Sequence, residues 1–205
     1  ACGERVAFAG RWRNAGFAVA RLKLNMFVIL MGVSGSGKTT IGKKLAAGMA
    51  CRFYDGDDFH PPENVAKMAT GAPLNDEDRA GWLAALAGLI RTGIEKDECG
   101  VIACSALKEK YRAALRVDAE RVRFVYLRGS YDVILGRMQS RKEHYMKPGM
   151  LASQFEALEE PQDALVEDIT LAPDVIVRDI MDKLGSNFGR GAMLRRNKKP
   201  ENKIT

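Results

Sequence analysis

Short apolar runs alternate with longer amphipathic stretches along this chain. Phe27–Met31 is apolar at every position, the pattern of a strand buried on both faces. Residues 39–49 follow as a helical stretch. Residues 52–54 predict a second short strand, and Pro61-Pro62 predicts a helix start leading into 63–69. Over 76–94, Trp82, Leu83, Leu86, Leu89 and Ile90 recur at three- and four-residue steps, which predicts an amphipathic helix. Residues 101–104 predict another buried strand, 107–115 a helix, 122–127 a strand and 131–141 a helix. The charged segment 140–149, with Pro148 and a closing glycine, reads as a loop. Helix at 150–158, strand at 166–170 and helix at 172–184 complete the pattern, and none survives beyond Gly185.

Strand and helix alternate throughout, which predicts an α/β fold of three layers, a parallel sheet with helices on both faces. No internal repeat and no second domain are visible. The expected organisation is one domain over 26–184, between an N-terminal extension (1–25) and a C-terminal tail (185–205), both expected to be disordered.

Charge sharpens that division. The chain of 205 residues carries a formal net charge of +6. Residues 1–25 hold five basic residues against Glu4, and 185–205 hold six against Glu201, so 26–184 is left at −3. A nucleic-acid partner needs a basic face on the folded domain, so none is expected. No apolar run approaches the ~20 residues of a membrane span, so no membrane partner is expected either. The Arg-rich, acid-poor start also has the composition of a transit peptide. The extension reading is preferred because Met26 stands directly before the first strand. Cys2, Cys51, Cys99 and Cys104 form no C-x-x-C pair and no metal spacing with the two histidines, so separate reduced thiols in a cytoplasmic protein are expected.

The strongest chemical signal is Gly32-Val33-Ser34-Gly35-Ser36-Gly37-Lys38-Thr39, which matches the P-loop pattern at every fixed position. Glycines let the backbone turn tightly and bring its N–H groups to phosphate oxygens. The following helix offers its N-terminus, with free donors and a partial positive charge. Lys38 is suited to the β- and γ-phosphates, and the Thr39 hydroxyl to Mg²⁺. Thr40 follows in the same turn.

Other motifs narrow the class. There is no Asn-Lys-x-Asp, so the usual guanine motif is missing. The third-strand candidate ends in Cys104-Ser105, where an ATPase would show a Walker-B aspartate. Asp55, Asp57 and Asp58, after the second strand, are the available acids. A small domain with these features suits a compact small-molecule kinase.

Several blocks then carry a resemblance. They are the P-loop through Gly42, Gly56-Asp-Asp-Phe-His-Pro-Pro-Glu-Asn-Val-Ala-Lys-Met68, Gly71-Ala-Pro-Leu-Asn-Asp-Glu-Asp-Arg79, Cys104-Ser-Ala-Leu-Lys108, and His144-Tyr-Met146 with Ser153-Gln154 and Leu158-Glu-Glu-Pro161. In that order the chain resembles the P-loop gluconokinases, which are related to shikimate kinases. The resemblance covers 27–184 and implies the P-loop kinase fold. It also implies ATP and Mg²⁺ as cofactors, with D-gluconate as the small-molecule substrate, phosphorylated to 6-phospho-D-gluconate.

It implies residue roles as well. Asp57 orients and deprotonates the acceptor hydroxyl, and Asp55 lies on the Mg²⁺ side with Thr39. Arg79 grips the substrate carboxylate with its planar fork. His60, Ser105, Lys108, His144 and Gln154 are expected at the substrate. Arg137 is expected at the adenine and Arg141 at the transferred phosphate, on a lid near 137–150. Lys147 departs from the family, which more often has proline there. Family members are often dimeric, so a homodimer is one expectation. Two other readings stay open: a kinase for another small acid such as shikimate, and a non-catalytic nucleotide- or nucleic-acid-binding protein that uses its basic ends.

Overall fold

The computed structural model describes residues 25–140 and 148–196, and the side chains of 25–140 and 150–186. Five strands form one sheet in the order β2-β3-β1-β4-β5, and every pairing is parallel. The strands are β1 (Phe27–Met31), β2 (Arg52–Asp55), β3 (Gly100–Ala103), β4 (Val122–Arg128) and β5 (Leu165–Asp168). The helices are α1 (Lys38–Met49), α2 (Pro62–Ala69), α3 (Asp76–Glu95), α4 (Glu109–Leu115), α5 (Tyr131–Gln139), α6 (Pro148–Glu156) and α7 (Pro173–Arg196). A 3-10 turn, Gly56–Phe59, follows β2 directly.

The continuous apolar run of β1 has a simple physical cause. All five of its residues are buried, because both sheet faces are covered. Side chains alternate across a strand, so each face takes every second residue. Val28 and Leu30 join Ile41, Leu45, Leu127, Ile134, Ile176 and Ile180 under α1, α5 and α7. Phe27, Ile29 and Met31 join Trp82, Leu86, Ile90, Ile102, Leu115 and Phe124 under α3 and α4. The periodic stripe predicted for 76–94 is the buried face of α3. That helix begins at a capping box in which Asn75 accepts from the Asp78 N–H and the Asp78 carboxylate accepts from the Asn75 N–H.

Two expectations need correction. The last helix does not stop at Leu184 but runs to Arg196, so 185–196 is helical and not an irregular tail. Gly185 costs about 1 kcal/mol in a helix, and no proline occurs before Pro200 to stop it. The second correction concerns the thiols. Cys51 and Cys99 form a disulfide with Cα atoms 5.3 Å apart, while Cys104 is free and buried. Each bridged cysteine directly precedes a residue of the facing pair Arg52–Gly100, so the β2–β3 register brings the two sulfurs together.

The bridge closes a loop with a sequence separation of 48. Its reduction is therefore expected to lower stability by about 2–4 kcal/mol. Thermal melts with and without a dithiol reductant measure this, and Cys99→Ser should abolish the difference. Equal melting temperatures in wild type would show that the bridge adds no stability.

Candidate functional site

The carboxyl ends of the strands carry the chemistry, as in open α/β sheets generally. β1 feeds into the loop 32–37 and then α1. Gly32 has φ 138°, and a Cβ there would lie 2.9 Å from the Leu127 carbonyl oxygen and 3.1 Å from Ser36 Oγ. A side chain is excluded twice, by conformation and by space. The Gly32 N–H donates to the Ser105 carbonyl at 3.2 Å, which ties the loop to the segment after β3. Gly37 caps α1 without a side chain, so the N–H groups of Lys38, Thr39 and Thr40 have no partner within the helix.

Lys38 folds back over this loop. Its Nζ donates to the carbonyls of Gly32 and Val33, each at 3.0 Å. Burial lowers its pKa from the ordinary lysine value, opposed by the nearby Asp57 carboxylate. Ser36 Oγ is buried and has no hydrogen-bond partner among the described residues. Thr39 Oγ1 donates to Asp55 Oδ2 at 3.2 Å. The predicted metal-side pair is thus already adjacent, one partner from α1 and the other from the end of β2.

Asp55 has a second task. Its Oδ1 accepts from the Asp57 N–H at 3.3 Å and caps the 3-10 turn. Asp58 lines a separate cavity of about 440 Å³ with Lys43, Phe53, Tyr54 and Phe59, which also reaches Asp55. Asp57 is solvent-accessible at the cleft. Desolvation by the cleft walls raises its carboxyl above the usual range, and the Asp55 charge adds to the effect while Lys38 opposes it.

Gly56 places this turn. A Cβ on Gly56 would lie 2.6 Å from the Ala103 carbonyl oxygen, so the turn packs against the end of β3 at a distance only glycine permits. Trp82 Nε1 donates to the Gly56 carbonyl at 2.6 Å from the α3 side.

Arg79 lies one helical turn before Trp82 on α3. Its Nη1 donates to the carbonyls of Leu74 at 2.5 Å and Asn75 at 3.2 Å. The guanidinium also sits 5.6 Å from the centroid of the Tyr111 ring. Lys108 and Lys110 approach the same ring, each at 5.8 Å. Asp76 accepts from Lys108 at 3.3 Å, and also from Lys110 and the Tyr111 hydroxyl. Those hydrogen bonds, from Lys110 first and then Tyr111, hold its carboxyl well below the usual range. Three cations surround one ring against Asp76, and Asp78, whose charge also feels Arg79, is paired with Lys67, so this corner stays positive.

Some predicted residues stand elsewhere. Gln154, expected at the substrate, meets the P-loop instead. Its Oε1 accepts from the Ser34 N–H at 2.7 Å, and its Nε2 donates to Ser34 Oγ at 3.2 Å. Arg137 donates to the Ile169 carbonyl just beyond β5, on the opposite side of β1 from Asp57. Arg141 and His144 lie outside the described residues, as does half of the predicted lid.

Sequence reasoning missed the supports. Arg112 is 1% exposed; it pairs with Glu109 at 2.8 Å and donates to the Ala106 and Leu107 carbonyls, bracing the segment between Ser105 and Lys108. Asp76, Tyr111, Asn64 and the indole N–H of Trp82 were also unassigned. The one available signal for Trp82 was its place in the α3 stripe, which says only that it is buried.

Comparison with known proteins gives consistent findings. The family model described as Shikimate kinase matches residues 34–182. The thermosensitive gluconokinase of Escherichia coli (strain K12) is 53% identical over 134 residues, which is 65% of this chain and 72% of that protein. The thermoresistant gluconokinase of the same organism is 46% identical, over 69% of this chain and 83% of that one. The crystal structure of a gluconokinase from Sinorhizobium meliloti 1021 superposes with a TM-score of 0.75 at 36% identity, covering 82% of this chain and 98% of that one.

Proposed function

The chain belongs to the gluconokinase family of P-loop kinases, phosphotransferases with an alcohol group as acceptor, and from that premise we propose how its residues act. The reaction is the transfer of the γ-phosphoryl group of ATP to D-gluconate, giving 6-phospho-D-gluconate. The observation that carries this reading is the convergence of three groups at the strand ends. They are a phosphate loop with its lysine, a carboxylate turn beside it, and a positive corner able to take a carboxylate.

Backbone N–H groups of Val33, Gly35, Gly37, Lys38, Thr39 and Thr40 are the donors for the ATP phosphates at the helix N-terminus, since that of Ser34 goes to Gln154 and that of Ser36 to the Val33 carbonyl. The unpartnered Ser36 hydroxyl fits a loop built around an added polar ligand. Lys38 swings from the loop carbonyls to the β- and γ-phosphates, where it offsets the charge that spreads over the transferred group. Thr39 and Asp55 present hard oxygen donors 3.2 Å apart, a donor set that fits Mg²⁺. When bound there, Mg²⁺ neutralises phosphate charge.

Asp57 orients the acceptor hydroxyl in line with the γ-phosphate and takes its proton. Its raised carboxyl matches that task, because a base must be able to hold a proton. Arg79, fixed by two backbone carbonyls and the Tyr111 ring, binds the gluconate carboxylate, with Lys108 beside it. His60 contacts the polyol. Gln154 holds Ser34 of the phosphate loop. Arg137, which donates to the Ile169 carbonyl after β5, is the residue proposed for the adenine.

The test of the acid site is Arg79→Lys. A lysine keeps the charge but loses the fork, so KM for gluconate is expected to rise about 10- to 100-fold, the equivalent of one charge-assisted bond of about 1.5–3 kcal/mol. KM for ATP should stay the same. Steady-state kinetics in both substrates read this directly, and an unchanged KM for gluconate would remove Arg79 from the site.

A further inference from the structure

We propose that Trp82 and Asn64 are positioning residues for the transfer: Trp82 clamps the turn that carries Asp57, and Asn64 fixes His60 as its Nε2–H tautomer, a hydrogen-bond donor for an acceptor hydroxyl. The use of that donor rests on the kinase reading above. The geometry of the clamp and of the ring does not.

Asp57 lies between Gly56 and His60, and one indole holds both. Trp82 Nε1 donates to the Gly56 carbonyl at 2.6 Å, and the indole face stacks on the His60 ring with centroids 4.4 Å apart and planes 13° apart. Trp82 is 2% exposed, and its N–H is the group a buried tryptophan must satisfy. On its other side the turn abuts the Ala103 carbonyl. The turn is thus gripped from β3 and from α3. Arg79 and Trp82 stand three residues apart on α3, so the residue for the acid end and the clamp for the reacting end share one rigid element.

Asn64 settles the ring. It is 5% exposed, and its Nδ2 donates to the Asp78 carbonyl at 2.7 Å. The same nitrogen stands 3.4 Å from His60 Nδ1. An amide nitrogen carries two protons and accepts none. With one proton on the carbonyl, the other points to Nδ1, which must therefore be the acceptor. A neutral imidazole whose Nδ1 accepts carries its proton on Nε2. The charged groups that act on the ring are Asp57 and Arg79; burial and Arg79 favour the neutral form, and Asp57 opposes them. Among the described residues no protein acceptor takes the Nε2–H. It remains available beside the carboxylate that receives the acceptor's proton, so one group can hold the hydroxyl oxygen while the other takes its hydrogen.

The chain has two histidines, which makes the ring directly readable. Long-range ¹H–¹⁵N spectra of ¹⁵N-histidine protein, with His144→Gln to assign the peaks, report which nitrogen carries the proton. Without any acceptor present, His60 in the full chain should show a bare Nδ1 and a protonated Nε2. Asn64→Asp should reverse this, because a carboxylate demands an N–H from Nδ1. Trp82→Phe keeps a ring to stack on but loses the N–H.

Both variants should lower kcat about tenfold with KM for ATP unchanged, measured well below their melting temperatures. A wild-type His60 protonated on Nδ1 overturns the tautomer assignment, and this spectrum needs no variant to fold. A lower melting temperature with wild-type kcat in both variants overturns the positioning role. Failure of wild type to use gluconate would count against the kinase reading alone, since the spectrum is taken without substrate.

Discussion

Asp57→Asn is expected to lower kcat by about 10²-fold or more while nucleotide affinity stays near wild type. The substitution is isosteric, so the turn should hold. The Asp57 N–H still donates to Asp55 Oδ1, the Gly56 carbonyl still accepts from Trp82, and the phosphate loop is untouched. What is lost is a group that accepts a proton from the acceptor hydroxyl. The general-base contribution to phosphoryl transfer is modest, because positioning and charge stabilisation dominate, so the loss should fall well short of complete inactivation. Rapid-quench measurement of the chemical step, with binding of a non-hydrolysable ATP analogue as control, separates the two quantities. An unchanged chemical step would take Asp57 out of the mechanism.

Lys38→Ala is expected to lower kcat by about 10²–10³-fold, the scale for removing one preorganised group that stabilises transition-state charge. It should also weaken ATP binding, which distinguishes it from Asp57→Asn. The melting temperature should change little. Among the described residues the ammonium donates to two loop carbonyls, and burial already works against its charge in the folded state. A large drop in melting temperature with normal turnover would make Lys38 a structural brace of the loop.

The parts of this fold that were legible in the sequence are those set by local pattern. The apolar run of β1 announced a strand buried on both faces, and the glycines of 32–37 announced a turn that only glycine can make. The stripe on α3 fixed its buried face. The family resemblance implied that Asp55 lies on the Mg²⁺ side with Thr39, and Thr39 and Asp55 do meet.

What was not legible depends on which strands lie side by side. No local signal says that β2 pairs with β3, so nothing in the spacing of Cys51 and Cys99 marked them as neighbours. The contact of Gln154 with Ser34 was not foreseen for a similar reason, since it spans 120 residues. Trp82 was counted as core because apolar periodicity is blind to a single indole N–H. The end of α7 was missed because one glycine is too weak a stop. The positive corner around Tyr111 also needs α3 and α4 packed together before Asp76 can reach Lys108 and Lys110.

The kinase class rests on the phosphate loop and the carboxylate turn. The choice of acceptor rests on the positive corner and on family membership. The acceptor is therefore the claim to test. Purified protein with Mg·ATP is offered D-gluconate, shikimate and D-glucose in turn, and the products are followed by ³¹P nuclear magnetic resonance. The account predicts rapid formation of a phosphomonoester on the 6-hydroxyl of gluconate, with ADP in equal amount. D-glucose lacks the carboxylate for Arg79, and shikimate lacks the open polyol chain, so both should react far more slowly. No product from gluconate, with ready phosphorylation of another acceptor, would contradict it.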